Sequence, residues 1–122
     1  MDEAVTVFIT NLSPKHDYSA AVRYGAHRPV TSGNYPVFKT DRLVEEIVRA
    51  LMYSSEDDYL LFSGSSFIGG LCLQIWLSLH KHCKVLLRDS RQNSYVPRLI
   101  RRGDLITQIE HAKDQLKRQA VR

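Results

Sequence analysis

The 122-residue sequence predicts an α/β fold: a small Rossmann-like or flavodoxin-like domain of three layers, with a mostly parallel sheet, a C-terminal edge hairpin and a final amphipathic helix. Three observations carry that prediction. Short β-branched or apolar runs alternate with segments of helical spacing, so strands are joined by crossover helices. The loops that follow those strands are rich in Gly, Ser and Asn, which open turns. The last two strand-like runs are separated only by "DSRQN", which suits a hairpin and not a crossover.

The first strand is Val5 to Thr10, "VTVFIT", ending at Asn11. A polar loop, "NLSPKHDYSAA", follows, with Pro14 as breaker and Asp17 placed to cap a short helix through Tyr24. Gly25 suits the stop of that helix. His27 to Thr31 reads as a short second strand, and Pro29 assigns it to an edge.

"TSGNYPVF" is a turn-rich connection. Thr40 or Asp41 then opens a helix in which Leu43, Ile47, Ala50 and Leu51 recur at helical spacing and Glu45–Glu46 faces away. After "SEDD" comes a strand, Tyr59 to Phe62. The next helix, beginning after Gly64, is apolar nearly all round and is expected to be buried centrally, closed by "HKHC". Lys84 to Arg88 is a strand, and "SYVPRLI" pairs with it. A final helix starts at Gly103-Asp104, with Asp104 as N-cap. These assignments divide the chain into a Rossmann-like unit, 1–102, and a basic amphipathic helix, 103–122.

Composition narrows the function classes. At 43% hydrophobic and 25% charged, the chain reads as an ordinary globular protein of one domain. The acidic opening Met1-Asp2-Glu3 lacks the marks of a signal peptide, and Phe67 to Leu79 is too short to span a membrane. Two cysteines, Cys72 and Cys83, make no disulfide framework, so a cytoplasmic location is expected. Residues 1–83 hold 7 Lys/Arg against 9 Asp/Glu, whereas residues 84–122 hold 10 against 4. The basic C-terminal third is either a solvated surface or a contact for an acidic partner, nucleic acid included.

The candidate site follows from topology. In open α/β sheets, ligands sit beyond the carboxyl ends of the strands, where the strand order reverses. With a 2-1-3-4 order, that crevice lies between "NLSPKHDYS" and "SGSS". Ser63, Gly64, Ser65 and Ser66 offer hydroxyls and amides at a helix N-terminus, where the dipole favours an anion. Asn11, Ser13, Lys15, His16 and Asp17 come from the opposite loop. Together they suit a nucleotide or another phosphorylated ligand. "GSSFIGG" is no P-loop, because Gly70 and Leu71 stand where Lys-Ser/Thr is required. The alternative is structural: Ser65 or Ser66 caps the helix, and Gly69 and Gly70 permit close packing.

Other constellations are weaker. His80, His82 and Cys83 resemble a metal cluster, but alternate residues of a helix diverge by about 200° and a closed site needs four ligands. No metal or cofactor is therefore assigned. His16 beside Asp17 is a conceivable base with its orienter, the basis of a nucleotide-hydrolase reading. Cys72, in the most apolar helix, should be inert. In the final helix Leu105, Ile109, Ala112, Leu116 and Ala120 form a narrow stripe, which either docks on its own domain or pairs with a second copy. Arg98, Arg101 and Arg102 precede it as candidate nucleic-acid contacts.

The phrases "HDYSAAVRYG", "SSEDDYLLFSG" and "KVLLRDSRQNSYVPRLI" resemble small proteins of bacteriophages and related mobile elements, over His16 to Ile100. His16, Asp17, Ser19, Ser63 and Gly64 match the recurring phrases. The resemblance implies a phage origin and an α/β fold and carries no catalytic residue across. The leading expectation is a phage accessory protein, a non-catalytic binding module for a nucleotide or other phosphorylated ligand. The alternatives are an interaction protein that binds nucleic acid or a host protein through the basic third, and the hydrolase.

Overall fold

The computed structural model describes residues 4–35 and 38–121. The acidic opening read as free of a signal peptide, Pro36 and Val37 of the turn-rich connection, and Arg122 lie outside the described residues.

The elements in chain order are β1 (Thr6–Leu12), a 3-10 helix (Ser19–Tyr24), β2 (Ala26–Ser32), α1 (Thr40–Leu51), β3 (Tyr59–Leu61), α2 (Ser66–Leu79), β4 (His82–Asp89), β5 (Ser94–Arg101) and α3 (Arg102–Ala120). The strands form one sheet in the order β2-β1-β3-β4-β5. Three pairings are parallel, with Ile9 in register with both Pro29 and Leu61, and β4–β5 is antiparallel, with Leu86 opposite Pro97. This is the predicted α/β architecture. The β1–β2 connection runs one way across the sheet, whereas β2–β3 and β3–β4 run the other. Right-handed crossovers therefore put α1 and α2 on one face and the 3-10 helix on the other.

The pleat sorts the core accordingly. Phe8, Leu60, Cys83 and Val85 point to one side and cluster with Leu43, Ile47 and Leu51 of α1 and Ile68, Cys72 and Trp76 of α2. Val7, Ile9, Leu61 and Leu86 point to the other, beneath Tyr18, Ala21 and Tyr95. Trp76 meets Phe8 edge-on at 5.7 Å and donates its indole N–H to the His82 carbonyl at 3.1 Å, so its polar end is satisfied. Each such aliphatic or aromatic side chain contributes about 1.5–3 kcal/mol by leaving water. Gly25 closes the 3-10 helix at φ +150°, where an added Cβ would lie 2.2 Å from the Val5 carbonyl oxygen. Only glycine fits there.

Four local expectations are corrected. The helix after "SGSS" is not buried all round: α2 buries Ile68, Gly69, Cys72 and Trp76, but Phe67 stays 47% exposed. The sheet and α1 cover only its inner side. "HKHC" closes it only through His80, the C-cap whose amide donates to the Trp76 carbonyl at 2.8 Å, since His82-Cys83 already belong to β4. The short helix is of the 3-10 kind with Tyr18 at the cap position, although Asp17 does accept the Ser19 amide proton at 2.9 Å. Asp104 is not an N-cap. β5 runs directly into α3, so Arg101 occupies the cap position without a side-chain bond, and Asp104 sits in the first turn, where its charge suits the dipole.

The predicted stripe on α3 does not dock on the chain's own body: no residue of α3 is buried. Its base is nonetheless fixed. The Arg102 guanidinium donates to the Leu77 carbonyl at 2.8 Å, and the Arg102 amide to the Lys81 carbonyl at 2.9 Å. Among the described residues no helix is long and apolar enough to cross a membrane.

Candidate functional site

The carboxyl edge of the sheet is held by a side-chain network that joins three strands. Thr10 Oγ1 donates to the Ser63 carbonyl and accepts the Ser63 amide proton, both at 2.9 Å, which locks β1 to the end of β3. Thr31 Oγ1 approaches the Thr10 carbonyl at 2.8 Å and Asn11 Oδ1 at 2.9 Å, while Asn11 Nδ2 donates to the Gly33 carbonyl at 3.1 Å, which ties in β2. The Tyr18 hydroxyl accepts the Ser13 amide proton at 2.9 Å and lies 2.7 Å from Ser63 Oγ. Thr10, Asn11 and Thr31 are buried, and their polar atoms meet each other instead of water.

Above this network opens a cavity of about 490 Å³, lined by Asn11, Ser13, Pro14, Lys15, His16, Gly33, Asn34, Tyr35, Gly64, Ser65 and Ile68. Its walls are the loop after β1, the loop after β2 and the N-terminus of α2. It lies beside the switch point that the strand order defines. Among the described residues no carboxylate lines it, and one lysine does.

The Gly/Ser turn has a specific geometry. Gly64 adopts φ +78°, and a Cβ there would stand 2.8 Å from Asn11 Nδ2. The turn therefore requires glycine twice over. Ser65 is the N-cap of α2, but its Oγ accepts the Ile68 amide proton at a long 3.4 Å. Capping and pocket lining are thus properties of the same residue. Gly69 packs closely, since its Cβ would meet the Phe62 ring at 2.8 Å, whereas Gly70 faces open space.

Of the residues singled out in the sequence, Asn11, Ser13, Lys15, His16, Gly64 and Ser65 line the cavity. Ser63 stands behind it, engaged by Tyr18. Ser66 is exposed in the first turn of α2, outside the lining. Asp17 is turned toward the Ser19 amide, and that hydrogen bond holds its carboxyl below the usual aspartate range. No hydrogen bond between His16 and Asp17 occurs among the described residues. Sequence reading omitted Gly33, Asn34, Tyr35 and Ile68. The signal was available in "TSGNYPVF", which is also a loop beyond a strand's carboxyl end. Tyr35 stands beside Glu46 of α1. Burial first, and then its hydrogen bond to that carboxylate, push the phenol pKa up.

The arginines do not form one patch. Arg98 and Arg101 are exposed on the edge strand β5, with Arg98 bonded to its neighbouring Pro97 carbonyl at 2.7 Å. Arg102 is half-buried and caps the C-terminal end of α2. Both cysteines are buried free thiols, and desolvation raises each pKa to about 12. His80 bonds Ser54 Oγ at 2.8 Å, and His82 lies 3.9 Å from Glu56. Among the described residues no group of three His, Cys, Asp or Glu side chains is placed to hold a metal ion.

No curated protein and no solved structure gives a significant match to the chain. Residues 5–102, from the start of the sheet to the first residue of α3, match a family model, in agreement with the phage phrases noted in the sequence. The chain belongs to the Phage Pam3 gp32-like protein family.

Proposed function

We propose that this phage protein is a binding module for a nucleotide or a related phosphorylated small molecule, held in the cavity at the carboxyl edge of the sheet. The observation that carries the reading is the composition of that cavity. A helix N-terminus, a glycine with no side chain and Lys15 face a space that no carboxylate among the described residues lines. Its volume falls in the range of small-molecule sites. Amides of the first turn of α2 lack intrahelical acceptors and attract an anion. Tyr35 and His16 offer ring surface for a base or sugar.

Binding without turnover is favoured over hydrolysis, because Asp17 is committed to Ser19 and does not orient His16. A pocket of this kind suits a phage accessory protein that sequesters a host nucleotide signal.

Isothermal titration calorimetry with AMP, ATP, cyclic nucleotides and inorganic phosphate tests the reading. One of the nucleotides should bind stoichiometrically without being consumed. Lys15→Ala should weaken it about tenfold or more, as expected for loss of a charge-assisted hydrogen bond of roughly 1.5–3 kcal/mol. If none of these probes binds at millimolar concentration, the pocket reading fails.

A second reading rests on a different surface. The β4–β5 hairpin exposes Arg88, Arg91, Arg98 and Arg101 at one margin of the sheet, with Arg98 on the opposite face from Arg88 and Arg101. This is a footprint for an acidic partner such as nucleic acid. Salt-sensitive, sequence-independent binding of single- or double-stranded DNA or RNA would support it.

A further inference from the structure

The unsupported helix α3 has a pattern that only a second copy completes. It runs for 19 residues with none buried, and Leu105, Ile109 and Leu116 are 47%, 53% and 65% exposed. A lone helix of that length is marginal in water and ordinarily draws its stability from a packed apolar face. Leu105, Ile109, Ala112 and Leu116 are spaced by four, three and four residues. That spacing reads the same in both directions. Turned end for end, the stripe superposes on itself, with Leu105 level with Leu116 and Ile109 level with Ala112.

Charge selects the same orientation. Residues 103–111 carry Asp104 and Glu110 with no Lys or Arg, whereas residues 112–121 carry Lys113, Lys117 and Arg118 against Asp114 alone. An antiparallel pair sets the acidic half of each helix against the basic half of the other. A parallel pair would set like charges together, which costs affinity and selects against that orientation. The two helix dipoles also oppose favourably when antiparallel.

Shape gives a third reason. The base of α3 and the outer side of α2 share a groove of about 290 Å³, lined by Gln74, Leu77, Ser78, Arg102, Leu105 and Ile106. The tip of α3 bears Leu116, 65% exposed. Antiparallel pairing carries each tip to the groove of the other copy. Parallel pairing leaves both grooves open.

We propose that the protein forms a two-fold symmetric dimer through antiparallel pairing of α3, with each helix tip seated against the α2–α3 groove of its partner. The contact is isologous, so it closes on itself and stops at two copies.

Light scattering of the full chain should give twice the monomer mass at micromolar concentration. Ile109→Asp places an unpaired charge in the seam and should raise the dissociation constant by roughly a hundredfold while the fold persists, since Ile109 belongs to neither core cluster and is 53% exposed. Leu116→Ala should weaken the dimer less and serves if the first variant proves unstable. Direction is read from spin labels on Gln119→Cys, because the buried Cys72 and Cys83 stay unlabelled. Antiparallel helices separate the two residues by about 25 Å along the axis, whereas parallel ones bring them side by side. A parent that is monomeric at high concentration, a dimer untouched by both substitutions, or labels in close proximity would each overturn the proposal.

Discussion

The Tyr18 hydroxyl lies 2.7 Å from Ser63 Oγ and accepts the Ser13 amide proton at 2.9 Å, so one phenol joins the 3-10 helix, the loop after β1 and the loop after β3. Replacing it with phenylalanine keeps the ring and strands two polar groups. Tyr18→Phe should destabilise the fold by about 1–3 kcal/mol, the cost of part-buried groups left without partners. It should also loosen the wall that bears Lys15 and His16. Chemical denaturation measures the first effect, and a drop in nucleotide affinity larger than that of a remote variant of equal stability reveals the second.

Gly64→Val meets a double obstacle, a left-handed backbone and the Asn11 side chain 2.8 Å from the new Cβ. Strain of this kind costs of order 1–3 kcal/mol. The melting temperature should fall, and any ligand bound at the first turn of α2 should be lost. A variant that melts and binds like the parent would show that the turn does not need its glycine.

Arg102→Gln separates two roles that the sequence merged. Because Arg102 caps α2 at the Leu77 carbonyl, its loss should lower stability by about 1.5–3 kcal/mol, as for a hydrogen bond to a charged group. It should leave any nucleic-acid affinity nearly unchanged. Arg98→Gln with Arg101→Gln should do the reverse, sparing stability and flattening the salt dependence of any such binding. Paired melting and salt-titration measurements distinguish them.

The buried thiols set an alkaline limit. Cys72 and Cys83 have an ordinary pKa of 9.0 when exposed and about 12 when folded, so above pH 9 the unfolded chain releases protons that the native state keeps. The contribution is fully present below pH 9 and is lost as pH rises toward 12. In that window stability should fall by up to about 1.4 kcal/mol per pH unit for each thiol. Double replacement by alanine should flatten the slope even though it lowers the plateau, and at neutral pH neither native thiol should react with an aromatic disulfide reagent.

The sheet and the order of its elements were legible because they depend on local alternation and on the handedness of crossovers, which "VTVFIT", "TDRLVEEIVRALMYS" and "DYLLFSG" display plainly. The two loops flanking the switch point followed from the same topology. Gly33 to Tyr35 escaped because an edge strand was not counted among the pocket's walls. The exposure of Phe67 was not readable, since an apolar helix looks the same whether its own domain or another molecule covers it. The start of α3 was misplaced because a strand that turns straight into a helix leaves no capping residue for the sequence to announce.

Both outermost strands of the sheet contain a proline, Pro29 in β2 and Pro97 in β5. A proline ring carries no amide hydrogen and interrupts the regular row of groups that an edge would offer to an incoming strand. An unguarded margin of a sheet invites pairing with the strand of another chain. With its two margins blunted in this way, the sheet disfavours edge-to-edge pairing on both sides.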